Sequence, residues 1–381
     1  MIWPCRVEFI VQGLLAFFDW TDMPPSVTGS SPKARHDASA LIAFAKSLLR
    51  AAGMPEDRAR DVADILVEAD LLGHDTHGLH LLSTYLQHIE AGQMRLVGEP
   101  ITLADHGAVV TWDGQRLPGP WLVLRAMEIA AERAKTYGSG TVSIGRSHHI
   151  ACLAAYLQRA TDNGLVMLLL TSAPSGVSVA PFGGLRPVFS PSPIAIGFPT
   201  AEGPVLVDVS TSITTNNMTN RLRKDGKRLP QQWLIDENGE ASDDPAVLQA
   251  PHKGTLLPLG GLDAGHKGYG LSLLVEALTA GLSGWGRADP PQPLNGSVFL
   301  QILDPEAFGG AQGFRRQMDW VAHACVDNPP RPGFDRVRLP GQMGLARRER
   351  QLRDGVELEP SILPALSVWA EKLGVALPAA S

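Results

Sequence analysis

The run Leu165-Val166-Met167-Leu168-Leu169-Leu170-Thr171 constrains the fold more than any other stretch of the chain. It is apolar without interruption and shows no alternation, so it reads as a strand buried on both faces. A strand of that kind needs a layer of structure on each side. The surrounding sequence supplies it: Trp121 to Tyr137 and Ile150 to Asn163 carry helical patterns, while Thr141 to Ile144, Ile194 to Phe198 and Val205 to Val209 read as strands. Alternation of this sort predicts an α/β core.

Ahead of that core lie three short helices. Leu41, Phe44, Leu48 and Ala52 form one apolar face that stops at Gly53; Pro55 opens a second, with Ala59, Val62, Ala63, Leu66 and Ala69, that runs to Gly73. Leu82, Tyr85, Leu86 and Ile89 make a third before Gly92. Gly270 to Leu282 reads as a long apolar helix, and Leu339 to Val375 as a basic helical stretch. At 381 residues the chain exceeds one ordinary core, which predicts two packed lobes.

Residues 1–36 read as a poorly ordered extension ending in the Pro/Ser/Gly stretch Pro24 to Pro32. The apolar run Phe9 to Phe18 is broken by Gln12 and followed by Asp19 and Asp22, unlike a signal peptide. It also falls short of the roughly 20 residues that span a bilayer. A net charge of −6 with scattered Lys and Arg offers no field for nucleic acid. The three cysteines, Cys5, Cys152 and Cys325, are far apart and form no Cys-x-x-Cys pair, so a reducing cytoplasm and no thiolate zinc site are expected.

Four clusters carry chemistry. In Gly73-His74-Asp75-Thr76-His77-Gly78 an imidazole sits beside a hydroxyl, as proton transfer near neutral pH requires, although a helix-capping turn would look the same. His74, His77 and His80 recur at a spacing of three, but no other motif completes a metal site. Ser147-His148-His149 follows a strand, where ligands of α/β sheets bind. Pro181 to Pro193 leads into Val207-Asp208-Val209-Ser210-Thr211-Ser212, whose amides and hydroxyls suit phosphate and whose Asp208 could orient an imidazole. Gly265-His266-Lys267-Gly268-Tyr269-Gly270 reads as a turn with a lysine opening a helix, an anion site. Neither a P-loop nor a Gly-x-Gly-x-x-Gly after a strand is present, because Gly138-Ser139-Gly140 precedes its strand.

In this order the clusters resemble the malate/L-lactate dehydrogenase family, which includes ureidoglycolate and sulfolactate dehydrogenases and a cyclic-imine reductase. The matching pieces are Ala69 to Gly73 with Thr76-His77-Gly78, Ser147 and His149, Pro181 to Gly184, Asp208 with Thr211-Ser212, Leu229-Pro230 with Trp233 and Asp236, Asp243-Asp244-Pro245, Leu257 to Gly260, Lys267 to Leu271, and Leu339 to Gly341. The resemblance covers Ser39 to Val375. It implies a dimeric, cytoplasmic oxidoreductase of non-Rossmann α/β fold, with a mixed central sheet and a helical lobe drawn from both chain ends. Residues 37–120 with 290–381 would form the helical, substrate and dimerisation lobe, and residues 121–289 the nicotinamide domain. The cofactor would be NAD or NADP and the substrate a small carboxylate.

By resemblance His77 is the proton donor beside the Thr76 hydroxyl, His149 a second histidine assigned as proton acceptor, and Asp208 the acid near substrate and nicotinamide. Cofactor contacts would come from Phe189, Ser190, Pro191 and Ser192, from Val209 and Ser210, from Asp244 and Pro245, from Lys267, and from Pro340, Gly341 and Gln342. No metal is implied. The chain departs from the family at Leu81, which replaces a carboxylate-clamping arginine; His80, Arg146 or Arg186 are the candidate substitutes. Ser190-Pro191-Ser192-Pro193 replaces a Gly-Thr-Asn-Pro turn, and Ala151 a glycine. A cyclic-imine reductase, a metal-dependent hydrolase and an inactive cofactor-binding relative are the competing readings.

Overall fold

The computed structural model describes residues 35–249, 251, 253–290 and 295–379. Most of the expected extension, residues 1–34, therefore lies outside the described residues. Ala34–Ser381 form one compact unit. The strands are β1 (Arg35–His36), β2 (Ile101–His106), β3 (Val109–Asp113), β4 (Ser139–His148), β5 (Val166–Ser172), β6 (Ile194–Phe198), β7 (Val205–Val209), β8 (Leu234–Ile235), β9 (Ala241–Ser242), β10 (Thr255–Leu256), β11 (Asn295–Leu303) and β12 (Val356–Glu357). The helices are α1 (Ala38–Ala51), α2 (Glu56–Leu72), α3 (Leu82–Glu90), α4 (Gly119–Tyr137), α5 (Ala154–Thr161), α6 (Asn216–Lys224), α7 (Gly261–Glu276), α8 (Ala311–Val326), α9 (Gln342–Asp354) and α10 (Ile362–Leu373).

A mixed seven-stranded sheet in the order β2-β3-β4-β11-β5-β6-β7 forms the centre. Only β3 and β4 run parallel within it; the other neighbours are antiparallel. The apolar run at Leu165 becomes β5, packed by α5 and α7, with Met167, Leu169 and Leu170 fully buried. Helices from both chain ends, α1, α2, α3, α9 and α10, pack on one another as the helical lobe. β11, from the segment expected in that lobe, runs through the middle of the sheet. A smaller sheet, β10-β8-β9, buries Val179, Phe189, Leu229 and Trp233 beside it.

Local chemistry sets most helix ends. The Asp37 carboxylate accepts the Ala40 N–H at 3.0 Å and starts α1, and Gly73 stops α2 in the left-handed region at φ 93°. Three boundaries differ from the sequence reading. β4 begins two residues before the expected strand, continues four residues past it to His148 and carries a bulge, because Gly145 and Arg146 both face Ser297 and Arg146 takes φ 55°. The helix expected from Ile150 starts only at Ala154, since Ala151 stands at φ 61°. Gly265 to Gly270 is no turn but the middle of α7, which begins at Gly261. The glycines there serve close packing instead: a Cβ on Gly268 would lie 2.3 Å from the Leu259 nitrogen. Lys267 is accordingly not at a helix amino terminus.

Gly119, the first residue of α4, ties that helix to the site. A Cβ there would lie 2.3 Å from the carbonyl oxygens of both His148 and His149. Gly119→Ala should therefore cost about 1–3 kcal/mol as overpacking, read by urea unfolding; unchanged stability would show that this approach is not tight.

Candidate active site

The loop after α2 is held by a buried acid. Asp70 Oδ2 accepts the Leu79 N–H at 2.8 Å, and a Cβ on Gly78 would sit 2.2 Å from Oδ1, so the loop closes directly onto the carboxyl. Burial pushes the Asp70 carboxyl up to about 8, against the pull of the Leu79 amide. The loop thus presents Thr76 and His77 on a fixed backbone. The Thr76 hydroxyl lies 2.9 Å from His77 Nδ1, and its carbonyl accepts from Asn217 of α6 at 3.2 Å. A hydroxyl can donate or accept, so this bond leaves both neutral tautomers of His77 open. His77 is partly exposed at its outer face yet walled by protein. Desolvation, helped by His149, lowers it to about 4, while the Asp208 carboxylate acts in the opposite sense.

His149 stands across from it, with ring centroids 6.2 Å apart and planes within 18°. Its Nδ1 accepts the Ala151 N–H at 3.1 Å, and the Tyr85 hydroxyl lies 2.9 Å from the same nitrogen and 3.1 Å from the His149 carbonyl. An amide N–H can only donate. The hydrogen-bond network therefore assigns the neutral ring a proton on Nε2. Burial, with His88 as a minor partner, lowers His149 to about 4. Behind it His148 is fully buried and held well below the usual imidazole range by burial. Its Nε2 lies 3.1 Å from His88 Nδ1.

Asp208, near the end of β7, closes the site. Its Oδ2 accepts the Ala154 N–H at the start of α5 at 2.9 Å, and the Cys152 thiol lies 3.7 Å away. His77 and Asp208, though distant in sequence, are close enough for the carboxylate to act on the imidazole. The zinc spacing His74, His77, His80 is not realised, because the single 3-10 turn Leu79–Leu81 after Gly78 leaves His80 exposed. His74 groups instead with Cys152 and Asp208, their ligand atoms all within 4.8 Å of one another. Cys152 and Asp208 reach His74 from other elements, where no local spacing could show them.

Most of the residues expected to contact cofactor meet along the edge of β7. The Pro191 carbonyl accepts from Thr211 N at 2.9 Å, Thr211 Oγ1 at 3.0 Å and Ser210 Oγ at 3.1 Å. Pro340 O accepts the Leu206 N–H at 3.0 Å, and Gly341, at φ 91°, has no room for a Cβ against Leu206. Gln342 Oε1 holds the Leu339 N–H at 3.0 Å. Leu259, which Gly268 approaches, donates to Thr211 O at 2.8 Å, and Lys267, next in the chain to Gly268, is exposed. Phe189, Ser190 and Ser192 are buried, with Ser190 Oγ 2.9 Å from Ser192 Oγ. Asp244 and Pro245 lie on the small sheet's flank, where Asp244 caps Ala246 at 2.9 Å and faces Arg228 at 3.5 Å. Hydroxyls, close backbone and an ammonium suit a dinucleotide's ribose and phosphates, so the donor set fits the cofactor.

The clamp position itself carries no cation. Leu81 packs on the core, His80 and Arg186 are exposed, and Arg146 is paired with Asp113 at 2.9 Å. The cations at the loop are Arg347 and Arg221, 3.7 and 4.0 Å from Asp75, which no local pattern could reveal. Arg287 was equally hidden: it pairs with Glu276 at 2.7 Å and reaches Ser190 Oγ at 3.4 Å.

Nitrogen NMR of the histidine rings should show His149 neutral at pH 7 with its proton on Nε2; an Nδ1–H ring, or protonation near pH 6, would contradict the assignment. His77 and His149 stay neutral when folded, whereas the unfolded chain takes up protons below pH 6.5. Their contribution to stability is full above that pH and is lost as pH falls through about 4.

The family model for malate/L-lactate dehydrogenase matches residues 36–367. An L-lactate dehydrogenase of Cupriavidus necator is 32% identical over 88% of this chain and 97% of its own. Malate dehydrogenase of Entamoeba histolytica superposes with a TM-score of 0.85 at 26% identity, over 91% of this chain and all of that one. The delta1-piperideine-2-carboxylate reductase of Pseudomonas syringae does so with a TM-score of 0.77 at 26% identity, over 88% and 99%. The chain belongs to the malate/L-lactate dehydrogenase family of oxidoreductases.

Proposed function

We propose that the protein transfers a hydride reversibly between NAD or NADP and C2 of a small 2-oxo or 2-hydroxy acid, with His77 moving the accompanying proton. The observation that carries this reading is the meeting of His77, His149 and Asp208 from three separate elements. The nicotinamide, when bound, supplies or accepts the hydride. Phe189 to Ser192, Val209, Ser210, Asp244, Pro245, Lys267 and Pro340 to Gln342 would hold the cofactor, mainly on residues 121–289. Of the lobe expected from residues 37–120 and 290–381, the helices α1, α2, α3, α9 and α10 would form the substrate side, while β2, β3 and β11 belong to the central sheet.

At pH 7 His77 is neutral, so in the oxidative direction its ring takes the hydroxyl proton, and in reduction it first takes up a proton from solvent and then passes it to the alkoxide. His149 has its Nδ1 engaged, and its Nε2–H serves as a hydrogen-bond donor to the developing alkoxide rather than as a proton acceptor. Asp208 anchors α5 and favours the protonated form of His77. A cytoplasmic homodimer goes with this reading, supported by the free thiols of Cys152 and Cys325 and by exposed Leu262, Leu273, Leu274 and Leu282 along and just after α7. Among the described residues no helix is long and apolar enough to cross a membrane.

A second reading, reduction of a cyclic imine bearing a carboxylate, is favoured by the likeness to the Pseudomonas reductase. Following reduced-cofactor absorbance with pyruvate and with piperideine-2-carboxylate separates the two, the better substrate naming the reaction. His77→Ala should bind cofactor almost normally and turn over at least about a hundred times more slowly. Turnover equal to wild type would remove His77 from the mechanism.

A further inference from the structure

The His74, Cys152 and Asp208 group is not used in full by the proposed chemistry, which needs only the carboxylate. Its three ligand atoms, an imidazole nitrogen, a sulfur and a carboxylate oxygen, lie within 4.8 Å of one another. They come from the loop after α2, the segment after β4 and the end of β7, so each is placed by a different element. Cys152 is buried, and its Sγ stands 3.7 Å from Asp208 Oδ2. In a tetrahedral zinc site, bonds of about 2.3 Å to sulfur and 2.0 Å to oxygen put those two ligands about 3.5 Å apart. The Cys152 sulfur and Asp208 Oδ2 already stand near zinc spacing, and the half-exposed His74 side chain can close the third vertex. A nitrogen, sulfur and oxygen set favours zinc over magnesium or calcium.

We propose that His74, Cys152 and Asp208 form a site for a soft divalent cation of the zinc class, and that filling it switches off the adjacent active site. On binding, the metal–sulfur bond forms as the Cys152 thiol proton leaves to solvent, and no electron changes hands. The cation occupies the Asp208 carboxylate and stands beside His77, which already feels the charges of both Asp208 and His74. Three protein ligands leave one position open to water. The switching-off rests on the reading of the site as a dehydrogenase; the binding does not.

The test uses full-length protein carrying Cys5→Ser and Cys325→Ser, so that Cys152 is the remaining thiol. Chelator-treated protein is titrated with cadmium, and the thiolate-to-metal charge-transfer band is recorded in the ultraviolet. One equivalent should saturate the band. Cys152→Ser should abolish it, and His74→Ala, a partly exposed position that folding tolerates, should weaken binding at least about tenfold, as loss of even an outer partner does. Absence of the band in the starting protein, or its survival unchanged in His74→Ala, overturns the site. Zinc should then inhibit turnover of the starting protein reversibly, with activity restored by chelator. Stoichiometric binding that leaves turnover unaffected overturns the switch.

Discussion

Desolvation of the histidines is the constraint on which this site depends. Three imidazoles, His77, His148 and His149, are packed where the charged form is penalised, and each is neutral at physiological pH as a result. A neutral ring can take a proton from an alcohol, and a neutral ring with a fixed tautomer can donate to an oxygen. The two rings differ in what stands at Nδ1. His77 faces a hydroxyl that adapts; His149 faces an amide that cannot.

Holding the rings in place is the work of backbone contacts rather than of salt bridges. Asp70 meets Gly78 and the Leu79 amide and so fixes the His77 loop. The β4 bulge at Gly145 and Arg146 shifts the strand end that carries His148, and Gly119 lets α4 abut the same carbonyls. At the far side the Ala154 amide holds Asp208. Each support reaches the site from a different part of the sheet or the helical lobe.

How much of this could be read in the sequence follows from the range of the forces involved. The faces of α1, α2 and α3 and the strands Ile194 to Phe198 and Val205 to Val209 were legible, because periodicity and turn residues act locally. The start of α7 was not, since its glycines look like a turn until Leu259 is seen pressing on Gly268. Positive φ at Arg146 and Ala151 likewise answers to tertiary contacts. At the site, Thr76, His77, His149 and Asp208 stood out as motif residues. Tyr85 passed as one more apolar helix position, although its hydroxyl sits on His149, and nothing near Cys152 in the chain pointed to His74 or Asp208.

The central claim is that a nicotinamide dinucleotide lies along the β7 edge with its pyridine ring between the two chemical groups that the fold brings together. A crystal structure of the protein with the reduced dinucleotide tests it most directly. The account predicts the ring bordered by the His77 imidazole and the Asp208 carboxylate, with the phosphates toward Ser190 to Ser192 and Lys267. A dinucleotide bound elsewhere, leaving both groups facing only solvent, would contradict it.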